Sequence, residues 1–108
     1  MSLLLFGQRL HYERYYQDKY CSAVGGVTEH ILSDKTRVDC LTDTKAIEVD
    51  FANKWAECIG QALHYGISTN KKPACLLIME DPVKDAKYLE RLKKVADRYC
   101  IDVYTIKP

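Results

Sequence analysis

TRVDCLTDTKAIEVDFANKWAECIGQALHY, residues Thr36 to Tyr65, reads as a β-hairpin that runs straight into an amphipathic helix. Thr42-Asp43-Thr44-Lys45 has turn chemistry and separates two runs that alternate in period two. A tight turn at Asp43-Thr44 and a longer loop over 42–45 give the same register, with Cys40 facing Ile47, Asp39 facing Glu48 and Arg37 facing Asp50. Val38, Cys40, Ile47 and Val49 then share an apolar face, and Arg37, Asp39, Glu48 and Asp50 share the other. Opposed carboxylates on neighbouring strands repel, so stability alone does not select Asp39 against Glu48. A divalent cation between them removes the objection, because hard oxygen ligands suit Mg²⁺, Mn²⁺ or Ca²⁺.

In the helix, Phe51, Trp55, Cys58/Ile59, Ala62/Leu63 and Gly66 recur at helical spacing as a buried stripe. Lys54, Glu57, Gln61 and His64 form a second, polar stripe. With a helix starting within a few residues of Glu48, its first turns are expected beside the carboxylate face.

This arrangement resembles the PD-(D/E)xK nuclease superfamily, which places an Asp on the second core strand, an acidic-x-Lys on the third, and inward polar residues on the next helix. Asp39 and Glu48-Val49-Asp50 occupy those strand positions, followed by Lys54 and Gln61. Two positions depart from the pattern: Val38 replaces the proline, and Asp50 stands where the lysine belongs. The family relocates that lysine onto the following helix, which points to Lys54. The resemblance implies a restriction-endonuclease-like fold, metal held by Asp39 and Glu48, and catalytic positions at Asp39, Glu48, Asp50, Lys54 and Gln61. Many members also contribute an acidic residue from the first helix, here Glu13, which otherwise reads as a solvated carboxylate.

A chain of 108 residues is expected to form a single domain spanning residues 1–108, with a small but real core. Its net charge of +1 gives no global basic field, so any nucleic-acid surface has to be local. The five cysteines, at 21, 40, 58, 75 and 100, have no paired spacing of the kind zinc sites use. An odd count without a framework favours reduced, buried thiols in a cytoplasmic protein. No run reaches the ~20 apolar residues of a membrane span. Met1 to Leu5 lacks the basic start and long apolar core of a signal peptide.

Residues 8–22 are expected to be helical, with Tyr12, Tyr16 and Tyr20 along one line. That line either packs on the sheet with its hydroxyls at the edge or offers rings for base stacking. Gly25-Gly26 ends the helix, Val27–Leu32 forms a first strand, and Ser33-Asp34-Lys35 turns the chain. Glu29 joins the Asp39 face only if the connecting loop gives an odd offset, and His30 reads as structural. After a loop over 66–73, Ala74 to Met79 is a continuous apolar run, as in a strand covered on both faces. Asp81-Pro82 then caps a helix to about Tyr99, whose inward line includes Tyr88/Leu89, Leu92, Val95/Ala96 and Tyr99. Asp102 to Ile106 closes the chain as a strand. The order αβββαβαβ is that of an α/β mixed sheet flanked by helices, with its last two strands parallel.

The function these residues favour is a Mg²⁺- or Mn²⁺-dependent endonuclease hydrolysing phosphodiester bonds in DNA or RNA, with DNA the favoured partner. Glu57 would act through the ligands, and Arg37, Lys45, Lys71 and Lys72 would contact phosphate. A chain this small would need a homodimer to grip duplex DNA. The alternative is a catalytically decayed module of the same fold that binds nucleic acid or protein. A redox protein ranks below both, for want of a spaced cysteine pair.

Overall fold

Five strands lie side by side in chain order, β1-β2-β3-β4-β5, with β1, β2 and β3 antiparallel and β3, β4 and β5 parallel. The computed structural model describes residues 8–108; Met1 to Leu5 lie outside them. The elements are α1 (Glu13–Ala23), β1 (Val27–Ile31), β2 (Arg37–Leu41), β3 (Lys45–Phe51), α2 (Trp55–Thr69), β4 (Lys72–Ile78), α3 (Pro82–Tyr99) and β5 (Asp102–Ile106). This is a mixed α/β fold in the expected order, with the parallel β4–β5 pair in place.

The apolar run in β4 explains the layering. Ala74, Leu76 and Ile78 point to one face and pack with Tyr16 and Cys21 of α1, together with Ile47 and Val49. Cys75 and Leu77, continued by Met79, point to the other, where Cys58 and Ala62 of α2 and Leu92 and Ala96 of α3 cover them. Each alternate residue therefore meets a helix, and none of β4 from Ala74 onward is left for solvent. Asp81 caps α3 by accepting from the Lys84 amide at 3.1 Å, and Pro82 sits in the first turn, where its missing donor costs nothing.

Several boundaries differ from the sequence reading, each for a tertiary reason. Helix α1 starts at Glu13 rather than residue 8. The preceding segment is held instead by the buried Glu80 carboxylate, whose Oε2 accepts from the Leu10 and His11 amides at 3.0 and 3.2 Å and from the Tyr16 hydroxyl at 2.6 Å. Phe51 is the last residue of β3 and packs with the Tyr16 cluster, not with the α2 stripe. A 3₁₀ turn over Ala52–Lys54 separates it from α2. The expected loop at 66–73 is mostly regular structure: α2 runs to Thr69, Asn70 caps it at φ 55°, and β4 starts at Lys72. Tyr99 is exposed rather than inward.

The cysteines also depart from expectation. Cys21 at the end of α1 and Cys40 on β2 form a disulfide across a Cα–Cα distance of 5.7 Å, so those two thiols are not reduced. Spacing along the chain hid this, because the packing of α1 on the sheet is what brings them together. Cys58 and Cys75 are free and buried, while Cys100 is free and exposed. Among the described residues, no helix is long and apolar enough to cross a membrane.

Candidate functional site

The hairpin register is Cys40 opposite Ile47 and Leu41 opposite Ala46. Beyond Cys40 the regular β2–β3 ladder stops. The Asp39 carboxylate takes over, with Oδ2 accepting from the Val49 amide at 2.8 Å. On its other side, the β1–β2 ladder skips the Glu29–Asp39 position, where Glu29 has φ +55°. A bulky residue in the left-handed region is strained, and such strain gathers where a site has to aim a side chain.

Into this gap the fold brings Asp39 and Glu48, whose carboxyl groups share a hydrogen bond. Glu48 and Asp50 are buried, and Glu48 Oε1 and Asp50 Oδ2 have no hydrogen-bond partner. Burial pushes the Glu48 carboxyl up to about 11, and the charges of Asp39, Asp50 and Glu13 push the same way. At neutral pH the Asp39–Glu48 pair therefore retains a proton, which burial favours on Glu48. Burial also raises Asp39, against the hydrogen bonds from Glu48 and the Val49 amide, which lower it. Asp50 rises to about 7, through burial and then the charges of Glu13, Asp39 and Glu57, with Lys54 opposing. Glu13, at the start of α1, is raised by burial and by Asp39, again with Lys54 opposing.

The central helix completes the surroundings. Lys54, at the end of the 3₁₀ turn, acts electrostatically on both Glu13 and Asp50, yet makes no ion pair within 4 Å among the described residues. Gln61 is exposed and accepts from the Tyr65 hydroxyl at 3.3 Å. Tyr65 itself is pushed up to about 12, by burial and then by Glu48, Asp39, Asp34 and Asp50. The sequence reading missed this phenol, although its position four residues after Gln61 places it on the same helical line. His64, the expected fourth member of the polar stripe, instead meets Asp34 in the β1–β2 turn at 2.8 Å.

Other expected site residues are placed elsewhere or engaged differently. Arg37 pairs with Glu29 at 3.6 Å rather than with Asp50, because it lies opposite Ile31 on β1 where the β2–β3 ladder has already ended. Glu29 also accepts from Gln17 Nε2 at 2.7 Å, so it borders Asp39 as a held carboxylate. Lys45 and Lys72 pair across β3–β4 at the far end of the sheet, and both reach Asp102, at 3.0 and 3.4 Å. Lys45 also bonds the Tyr104 hydroxyl. Lys71 donates to the Thr42 and Asp43 carbonyls at 2.6 and 2.9 Å. These three lysines are committed to holding turns and strand ends, about 10 Å or more along β3 from the carboxylates.

Among the described residues, no three His, Cys, Asp or Glu side chains are already arranged to hold an ion. The donor chemistry, though not the arrangement, suits a hard divalent cation: the buried groups are carboxyl oxygens, Glu48 Oε1 and Asp50 Oδ2 lack partners, and a cation would displace the proton that burial favours.

No family model matches the chain, and no solved structure matches it. A protein of Acanthamoeba polyphaga mimivirus, named as KilA-N domain-containing, is 34% identical over 88 residues, which cover 81% of this chain and 34% of that protein. The chain thus spans about a third of the length of this curated relative.

Proposed function

We propose that this domain is a metal-dependent phosphodiesterase of restriction-endonuclease-like type, an endonuclease acting on nucleic acid, with DNA favoured over RNA. One observation carries the reading: Asp39, Glu48 and Asp50 lie together where a strand ladder opens, with Glu13 of α1 and the Lys54 cation near enough for their charges to act on them. A fold indifferent to function would not gather and bury like charges with unpartnered oxygens.

Asp39 and Glu48 would hold Mg²⁺ or Mn²⁺, with Asp50 as a further ligand. When bound, such an ion would supply Lewis acidity toward a phosphoryl oxygen and would make a water more acidic. The Lys54 ammonium stabilises charge that builds on the phosphate, with the role of the family's relocated lysine. Gln61 and Tyr65 orient water on the helix side of the site. Glu57, which already acts on Asp50, tunes that carboxylate from further out.

Calorimetry with Mn²⁺ on the wild type and on Asp39→Ala tests the ion, and a panel of DNA and RNA substrates tests cleavage. Metal-dependent cutting lost in Asp39→Asn and Glu48→Gln supports the proposal. A second reading rests on Asp50 in the place of the motif lysine: a nuclease-fold module that binds nucleic acid or protein without cutting it. Metal binding or nucleic-acid binding with no cleavage on any substrate selects it.

A further inference from the structure

The tyrosine line of the first helix divides in the structure. Tyr16 is buried, and Tyr20 is half-buried against Tyr104, with ring centroids 6.1 Å apart. Tyr12 does the opposite: it is 88% exposed at the N-cap of α1 and makes no capping hydrogen bond. An N-cap position favours Ser, Thr, Asp or Asn, so a solvent-facing aromatic there breaks a local rule with no structural return.

Its neighbours are rings held in place. His11 stacks on Tyr15 at 3.9 Å with an interplanar angle of 25°, and Tyr15 meets the buried Tyr16 edge-on at 5.2 Å. The Glu80 carboxylate fixes the His11 backbone, and Arg9 lies 3.8 Å over the Phe51 ring. Together Arg9, His11, Tyr12, Glu13, Tyr15 and Phe51 border an open groove of about 730 Å³. Glu13 lines this groove and is near enough to Asp39 for their charges to interact, and Phe51 directly follows Asp50 on β3, so the groove lies beside the carboxylates.

Resting on the reading of the cluster as a phosphodiesterase site, we infer that this groove is a base-stacking subsite for single-stranded nucleic acid. Unpaired bases would stack on Tyr12 and continue the His11–Tyr15 pile while their backbone passes toward the carboxylates. Stacking needs only a π-face, which every unpaired base offers and a duplex hides. Of the charges at this end of the molecule, Lys19, 5.8 Å from the Tyr15 centroid, and the free Lys54 suit a phosphate chain, while Arg9, over Phe51, is held by Asn53 at 2.7 Å and Glu80 at 3.7 Å. Arg14 lies along the same helix but is paired with Asp18 at 2.8 Å.

The test is fluorescence anisotropy of a labelled dT 12-mer and of an abasic strand with the same phosphates. It is run on the whole chain in EDTA, so that binding is read without cleavage. Tyr12→Ala and His11→Ala should each weaken dT binding about tenfold, the scale of losing one stacking contact. Tyr12→Phe should retain wild-type affinity, and the abasic strand should bind all variants equally weakly. Unchanged near-ultraviolet circular dichroism checks that the exposed substitutions leave the fold intact. The inference is overturned if Tyr12→Ala binds dT like wild type, if the abasic strand binds wild type as well as dT does, or if dT does not bind. It is also overturned if sedimentation shows a wild-type dimer that Tyr12→Ala splits, since the patch is then a self-association face. Cleavage without a Tyr12 effect leaves the catalytic proposal standing and removes the subsite; stacking-dependent binding without cleavage does the reverse.

Discussion

Asp50→Asn should make the metal-free protein more stable at pH 8, although it alters a buried residue. Asp50 is 6% exposed, its Oδ2 has no partner, and its carboxyl is held at about 7 instead of the ordinary 3.8. The folded state therefore keeps this proton after the unfolded chain has lost it, so stability present below about pH 4 is lost as pH rises through about 7. At about 1.4 kcal/mol per pH unit, the full difference is about 4 kcal/mol. The effective dielectric at buried sites exceeds that of dry protein, which brings the expected gain for Asn to about 2 kcal/mol at pH 8. In thermal terms this is a rise of about 8 °C.

The same substitution should be near neutral or destabilising at pH 4, where the wild-type carboxyl is already protonated. Saturating Mn²⁺ should reverse the order at pH 8, because a ligand at a hundred times its Kd adds about 2.7 kcal/mol to whichever protein binds it. Thermal unfolding of both proteins at pH 4 and pH 8, in EDTA and in Mn²⁺, gives the comparison. An Asn variant equally destabilised at both pH values in EDTA would refute the reasoning. So would Mn²⁺ stabilisation that ignores the substitution.

Lys54→Ala should lower cleavage at least about a hundredfold, the scale of one transition-state donor, while calorimetry shows metal affinity nearly unchanged; equal turnover rejects the relocated lysine. Gly26→Ala should cost about 1–3 kcal/mol in urea unfolding, because its Cβ would lie 2.6 Å from Cys40 Sγ and 2.7 Å from Cys21 Sγ. Reducing the Cys21–Cys40 bond should cost about 3 kcal/mol through its 19-residue separation, and the Cys21→Ser, Cys40→Ser double variant should lose its response to reductant. Glu80→Ala should unseat residues 9–11 and cost about 2–3 kcal/mol by leaving the Leu10 and His11 amides and the Tyr16 hydroxyl without their acceptor, read as faster amide exchange at His11.

The parts legible in the sequence were those written in local periodicity. The alternation in β2 and β3 fixed which residues face each other at Cys40 and Ile47, and the unbroken apolar run of β4 announced two covering layers. Asp81-Pro82 marked the start of α3 because capping is chemistry within one turn. What stayed hidden depends on long-range contact. Glu80 sets the start of α1 from about 70 positions away along the chain, overriding a helical pattern that would run back to residue 8. The partner of Arg37 could not be read because the regular ladder ends before reaching it, so extrapolating the hairpin register gave Asp50 where the fold gives Glu29. The disulfide and Tyr65 likewise required the packing of helices on the sheet.

The opening of the ladder at Asp39 also answers the objection that opposed carboxylates raise. In a regular hairpin, Asp39 and Glu48 would repel across the strands. Here the Asp39 side chain turns to take the Val49 amide and shares a hydrogen bond with Glu48, so the metal-free fold tolerates the pair by retaining a proton. That solution is incomplete, because Glu48 Oε1 and Asp50 Oδ2 stay buried without partners. Replacing both carboxylates with apolar residues would relieve the protein at less cost than guarding them. The strained Glu29, the Gln17 bond that holds it and the 3₁₀ turn before α2 all maintain the arrangement instead. Lys54 gains its place through that turn: it ends three residues after β3, near enough to act on Asp50 and Glu13, and is left free of any close ion pair among the described residues. Lys54 offsets only part of the penalty on Asp50 and Glu13, and an incoming ion and phosphate would supply the close partner that the cation and the unsatisfied carboxyls lack.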